Sequence, residues 1–364
     1  MTKERNINLD LIRCVAVFFV ISVHFYLNSG FYELPCSGGR MLIMCIARTF
    51  FITCVPLFLM LTGYLMNKKK WSAGYYKGLQ KTYCIYFMIS ICCLFFRILY
   101  EKEEFGIRQM LTSILDFSAD SYSWYIEMYI GLFLLIPFLN ILWTNLKIRE
   151  KKIFIFTLLF LTAVPSLLNC WNLLGESHLI SVNPIVPDYW EILYPFTYYY
   201  LGAYMRESSS EKVFWKKESL LLIACAVLFG IFTYYRSGGG SYEWMSYNSY
   251  QGGEVIIISV LVFRILSALP LDKCPVIIKK LISKISILSL GIYLASAISD
   301  SVLYDYLAEK IIDPVKRIDY FPVMVLSSFL ISFGISWIIN MLYHGMEYLI
   351  QNLINGIKNR IIKS

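Results

Sequence analysis

The first apolar stretch, NLDLIRCVAVFFVISVHF, carries side chains able to do chemistry that plain lipid-facing residues cannot do. Asp10, Arg13, Val17 and His24 fall at offsets that an α-helix turns onto one stripe. Arg13 and His24 are roughly 16 Å apart along such a helix at a rise of ~1.5 Å per residue. Arg13 then lies near one membrane edge, and His24 about halfway across or beyond. Asp10 and Arg13 stand three apart and are expected to pair. An imidazole that titrates near neutrality can take and give protons. A charge inside a membrane span is a functional-site hypothesis by default. The structural alternative is that His24 hydrogen-bonds a neighbouring helix while Arg13 snorkels to the interface.

Other polar residues stand out against apolar surroundings. Arg48 falls within a second apolar run and is as hard to dismiss as Arg13, whereas Arg97 and Arg264 sit near helix ends and can snorkel. Trp124, Tyr125 and Glu127 open another run, where they read either as an interfacial belt or as the polar mouth of a substrate cavity. His178 and His344 read as solvated. The ten cysteines lie mostly inside apolar runs, where Cys acts as a small hydrophobe, and no spacing resembles a zinc site. Cys36 and Cys170 are the one pair whose positions leave a bridge open.

The elements that position these residues follow from composition. Of 364 residues, 58% are apolar or aromatic and only 16% charged. A soluble domain carries about 45–50% apolar and about 25% charged residues. A single soluble core cannot hide so much apolar surface, so lipid is the expected solvent. Spans of about 20 apolar residues are expected near 9–28, 43–66, 82–99, 122–143, 153–171, 190–205, 219–235, 253–270, 286–306 and 321–343, which gives an all-α membrane bundle of about ten helices. The sixth is short and contains Pro195. No cleavable signal peptide is expected.

Charge sets the orientation. With the N-terminus in the cytoplasm, about two thirds of the 33 Lys and Arg fall in the cytoplasmic segments, and only Arg40, Lys102, Arg108, Arg236, Lys310, Lys316 and Arg317 fall in the outer ones. Both termini are therefore expected inside. The net charge of +8 is explained by anionic lipid headgroups rather than nucleic acid. Residues 1–343 read as one membrane domain and 344–364 as a basic amphipathic tail. No repeat suggests a transporter of two halves.

The spacing of Arg13 and His24, with the surrounding LDLIR and VH, resembles the opening motif of the acyltransferase 3 family of membrane acyltransferases. RTFFITCVPLFLMLTGYLM at 48–66 is similar to that family's second helix, with Thr62 where Ser is usual. SWYIEMYIGLFLLIPFLN at 123–140, YYYLGAYM at 198–205 and LSLGIYLAS at 288–296 resemble three further landmarks, in order along nearly the whole chain. There are departures. An Arg-x-x-Arg motif linked with the acyl-CoA donor is replaced by Lys77 and Lys81, which keep charge but lose bidentate guanidinium recognition. Tyr122 and the Ala295-Ser296 pair each stand where a histidine is common.

The resemblance implies transfer of an acyl group, usually acetyl, from cytoplasmic acetyl-CoA to a hydroxyl of an outer-face glycan or lipid-linked sugar. Acetyl-CoA is then a co-substrate, with no permanently bound cofactor or metal. His24 is the implied base with Arg13 its electrostatic partner; Arg48, Lys77 and Lys81 meet the donor, and Trp124, Tyr125 and Glu127 the acceptor. The alternative from another class is a transporter or flippase that binds an anionic substrate without covalent chemistry.

Overall fold

The structure, a computed structural model, describes residues 5–171, 186–208 and 213–363. Its helices, in chain order, are α1 (Ile7–Asn28), α2 (Gly38–Phe51), α3 (Cys54–Met66), α4 (Ala73–Tyr76), α5 (Gln80–Leu99), α6 (Ile107–Leu115) and α7 (Trp124–Asn145). They continue as α8 (Ile148–Asn169), α9 (Tyr194–Glu207), α10 (Trp215–Arg236), α11 (Gly253–Ala268), α12 (Val276–Lys310), α13 (Pro314–Arg317) and α14 (Phe321–Lys363). No strand is present among the described residues; one isolated bridge joins Pro35 to Ser241.

Nine segments among the described residues are long and apolar enough to cross a membrane. The chain is a multi-pass, all-α membrane bundle. The expected sixth span is not among the nine, because Pro195 and a preceding 3₁₀ turn (Tyr189–Leu193) shorten it to the fourteen residues of α9. It still runs the full depth of the bundle. Near its start, Tyr198 donates to the Tyr250 carbonyl at 2.7 Å, and Tyr250 faces Trp124 at the beginning of α7. At its end, Glu207 accepts from Trp143 at 3.0 Å and pairs with Lys151 at 2.8 Å, beside the end of α7. With α9 counted, the described residues pass ten times.

α1 lies at the centre, packed on α3, α11, α12 and α14. Its start is fixed by Asn6, whose side chain accepts from the Asn8 and Leu9 amides. The α2–α3 pair forms one span with a break at Ile52–Thr53. There the Thr53 hydroxyl takes the Phe50 carbonyl at 2.6 Å. Pro56 falls in the first turn of α3, where its missing N–H costs nothing. α3 crosses α9 at two glycines: a Cβ on Gly63 would strike the Tyr199 carbonyl, and one on Gly202 the Met60 carbonyl. Gly291 likewise lets α12 approach Ser336 of α14. Small residues that allow close backbone approach replace the hydrophobic drive that lipid cannot supply.

Contacts define two ends. At one, Arg5 and Asp10 meet Ser283 and Ser286 of α12, and Lys81 lies over the Tyr343 ring of α14. At the other, Asn28 meets Tyr122, and Arg40 pairs with Asp319. The first is called the N-terminal end below. α14 returns to that end and continues without a break past residue 343, so the expected tail extends the last helix. Cys36 and Cys170 are free and buried, without a bridge. His178 lies outside the described residues. Arg264 is held at 2.9 Å by both oxygens of Glu218, and Arg97 by Glu103 at 2.7 Å, so both are paired rather than only snorkelling. His344 is exposed and pairs with Glu347.

Candidate active site

His24 follows almost three turns of mostly apolar packing in α1, in which the buried Ser22 bonds back to the Phe18 carbonyl, and is itself 6% exposed. A buried imidazole needs its ring nitrogens satisfied, and α12 supplies the partners. Ser296 and Asp300 stand four apart on that helix, so both project toward α1. The Asp300 carboxylate lies 3.2 Å and the Ser296 hydroxyl 3.1 Å from the same ring nitrogen, Nδ1. Asp300 also accepts from the Tyr122 hydroxyl at 3.0 Å and from Ser328 of α14 at 2.5 Å. Ser328 connects in turn to Ser299 and, through it, to Ser332. The Tyr122 ring stacks on the imidazole with centroids 3.6 Å apart, and Asn28 donates to both the Tyr122 hydroxyl and the His24 carbonyl.

This arrangement fixes the tautomer. Asp300 accepts from Tyr122 and Ser328, and an acceptor-only carboxylate needs a donor in the ring nitrogen that faces it as well. Nδ1 therefore carries the hydrogen, and Nε2 keeps the lone pair. No hydrogen bond to Nε2 is present among the described residues. A carboxylate that orients an imidazole and stabilises its protonated form leaves the opposite nitrogen able to act as a general base. Ser296 bonds the nitrogen that holds the proton, so it orients the ring and cannot be deprotonated by it.

His24 lines a cavity of about 500 Å³ that runs along α1 to Arg13. Arg13 donates to Ser286 at 3.0 Å and lies 3.9 Å from Asp10. Asp10 is taken instead by Arg5 at 2.8 Å and by Ser286 at 2.7 Å. Most of the Arg13 guanidinium donors thus remain available at the cavity. Between the two residues the wall includes Val20, Val55, Thr62 and Tyr129.

The expected site residues separate into groups. His24 and Arg13 line one cavity, but the charged partner at His24 is Asp300, not Arg13. Trp124 and Tyr125 line the same cavity, with Trp124 half-exposed against Tyr250 and Tyr125 buried against Phe58. Glu127 lines neither described cavity and is exposed, because its position on α7 turns it away from the wall formed by Tyr125 and Tyr129. Arg48 is a correction. It sits toward the opposite end from Arg13, 1% exposed, bonded to Tyr32 and Tyr242 at 2.8 Å and to the Asn248 carbonyl at 3.0 Å. Trp244 covers it at 5.1 Å. This aromatic cage binds α2 to the loop before α11 and is remote from the end where Lys77 and Lys81 lie. Lys77 is exposed, and Lys81 is half-buried at the N-terminal end beside Thr82, which lines the cavity.

A family model described as an acyltransferase domain matches residues 6–337. The chain belongs to the acyltransferase 3 family. No curated protein and no solved structure is significantly similar to it. The family match runs from α1 into the first part of α14, so every residue of the His24 cluster falls inside the acyltransferase domain.

Sequence reasoning missed Asp300, Ser296 and Ser328. Asp300 had a signal: it is an acidic residue inside an apolar helix, and such a residue points to a site by the same rule that marks Arg13. The departures from the family pattern were also informative. Tyr122 and Ser296, both at positions where a histidine is common, are two of the groups that touch His24.

Proposed function

We propose that this acyltransferase moves an acetyl group from cytoplasmic acetyl-CoA to a hydroxyl of an extracytoplasmic glycan or lipid-linked sugar. The observation that carries the reading is the His24–Asp300 pair, buried at one end of a cavity whose other end holds Arg13. A charged donor on one membrane face and a sugar on the other need a passage between them, and this cavity leads from Arg13 to His24, with polar groups at its ends and largely apolar walls between. The basic bias in the sequence assigns the N-terminal end to the cytoplasm.

The donor enters from that end. Arg13, with donors to spare, and the Lys77 and Lys81 ammonium groups hold the phosphates and the pantetheine amides. The acyl carbon then reaches the wall formed by Trp124, Tyr125 and Tyr129. His24 Nε2 takes the proton of the acceptor hydroxyl as its oxygen attacks the thioester carbonyl. The C–O ester bond forms, the C–S bond breaks, and the imidazolium returns its proton to the leaving thiolate to give free CoA. Asp300 stabilises the imidazolium through Nδ1. Transfer is direct, because Ser296 shares Nδ1 and has no base within its hydrogen-bonding set. Lipid is the only further partner invoked, and nucleic acid has no part.

The test is transfer from acetyl-CoA labelled in the acetyl group by the purified protein in lipid nanodiscs, combined with mass spectrometry of surface glycans from cells with and without the gene. Label in the glycan supports the reading. Binding or movement of a glycan without loss of acetyl-CoA would assign the chain to a non-covalent class instead.

A further inference from the structure

The hydroxyl hydrogens around His24 have assignable directions. Ser296 spends its hydrogen on the Tyr293 carbonyl at 2.6 Å, so toward Nδ1 it is an acceptor. The Oδ2 oxygen of Asp300 is the second acceptor at that nitrogen. Tyr122 gives its hydrogen to the same Oδ2 and accepts from Asn28. One donor chain thus reaches the carboxylate from the α1 and α7 side.

The other oxygen, Oδ1, has a different supplier. Ser328 of α14 donates to it at 2.5 Å and is its one partner among the described residues. With that hydrogen spent, Ser328 meets Ser299 only as an acceptor, at 3.0 Å. Ser299 then accepts from Ser332 at 2.8 Å. The Ser296 carbonyl, at 3.2 Å, is the longer alternative for the Ser299 hydrogen. Ser332, Ser299 and Ser328 therefore form a chain of donors aimed at one carboxylate oxygen. All three are at most 1% exposed, out of reach of bulk water. Hydrogen bonds in such a chain polarise and strengthen one another.

The chain is complete in one polarity only. With a proton on Asp300 the three hydrogens would turn round, and Ser332 would aim its own at no acceptor bonded to it among the described residues. A buried hydroxyl left so is costly. The carboxylate form satisfies every member. It also requires the hydrogen on Nδ1, which leaves the Nε2 lone pair free.

We propose that Ser328, backed by Ser299 and Ser332, is a positioning residue of the base. It pins Asp300 Oδ1, so that Oδ2 stays on Nδ1 and the imidazole keeps a single tautomer. α14 thereby acts on the reaction without lining the His24 cavity. The catalytic meaning rests on the acyltransferase reading; the tautomer does not.

The experiment is magic-angle-spinning NMR of the full chain in lipid, with nitrogen-15 in the histidine rings. The chain has three histidines, and His24→Gln identifies the His24 signals by their loss. At about pH 8, above the ordinary imidazole value of ~6.5, native His24 is expected to show a protonated Nδ1 and a bare Nε2. Ser328→Ala, with an unchanged thermal midpoint, is expected to bring in the opposite tautomer. Its turnover is expected to fall about tenfold or more, with the Michaelis constant for acetyl-CoA unchanged. Ser328→Thr keeps the hydroxyl and is expected to restore both the single tautomer and most of the turnover. Ser332→Ala, which leaves Asp300 untouched, is expected to act in the same direction and less. A native His24 protonated on Nε2, a single undisturbed tautomer in Ser328→Ala, or a loss confined to acetyl-CoA affinity overturns the proposal. The expected tautomer shift in a protein that transfers no acetyl group would support the positioning role and count against the acyltransferase mechanism.

Discussion

At the scale of single residues, the proposed reactivity comes from how His24 is held. Its Nδ1 faces Asp300, its ring lies on Tyr122, and its Nε2 has no partner among the described residues. Removing the orienting carboxylate leaves the imidazole free to adopt the wrong tautomer. Asp300→Asn is therefore expected to lower turnover by about 10²–10⁴-fold with little change in the Michaelis constant for acetyl-CoA. A fall in donor affinity with turnover preserved would contradict this. In the proposed mechanism Arg13 acts at a distance, on the donor. Arg13→Ala is expected to raise the Michaelis constant for acetyl-CoA, and Arg13→Lys to restore part of it, as steady-state kinetics would show. His24 was legible in the sequence because a histidine in an apolar helix is conspicuous. Asp300 carried the same kind of signal, an acid inside an apolar helix, but its role was not legible, because its partners come from α1, α7 and α14, and only the fold brings them together. Arg48 misled for a related reason. A buried arginine reads the same in sequence whether it lines a path or fills an aromatic cage.

At the scale of elements, the crossing of α3 with α9 sets the cavity. α3 supplies Val55, Phe58 and Thr62 to its wall, and it is pinned to α9 by Gly63 and Gly202 at backbone contact. Both glycines fall in the runs LTGYLM and YYYLGAYM that the sequence offered as family landmarks, so their physical content is helix approach rather than chemistry. Gly202→Ala is expected to destabilise the bundle by about 1–3 kcal/mol, because the facing Met60 carbonyl has no room to move. A lower thermal midpoint in detergent would show it; an unchanged midpoint would mean that α9 packs otherwise. Most helix positions were legible from apolar runs. α9 was the weakest, since its fourteen residues lack the length of a span, and only its contacts with Tyr250 and Lys151 reveal that it crosses.

At the scale of the whole molecule, ten passes return α14 to the end where α1 begins, and the central cavity joins that end to the His24 cluster. Reporter fusions test the sidedness: a reporter near Lys151 is expected in the cytoplasm and one near Arg317 outside. Both on one face would remove a pass. Lys77→Ala with Lys81→Ala is expected to raise the Michaelis constant for acetyl-CoA, most strongly at low salt, where the Debye length is about 30 Å at 0.01 M. An unchanged constant would move the phosphates to another basic segment. The central claim is that His24 takes the acceptor proton. The measurement that meets it most directly is acetyl transfer by His24→Gln, which preserves a hydrogen bond but accepts no proton, in protein shown to be folded by an unchanged thermal midpoint and to bind CoA as the native chain does. Acylation below about one hundredth of the native rate is expected; turnover near the native rate in that folded variant would contradict the account.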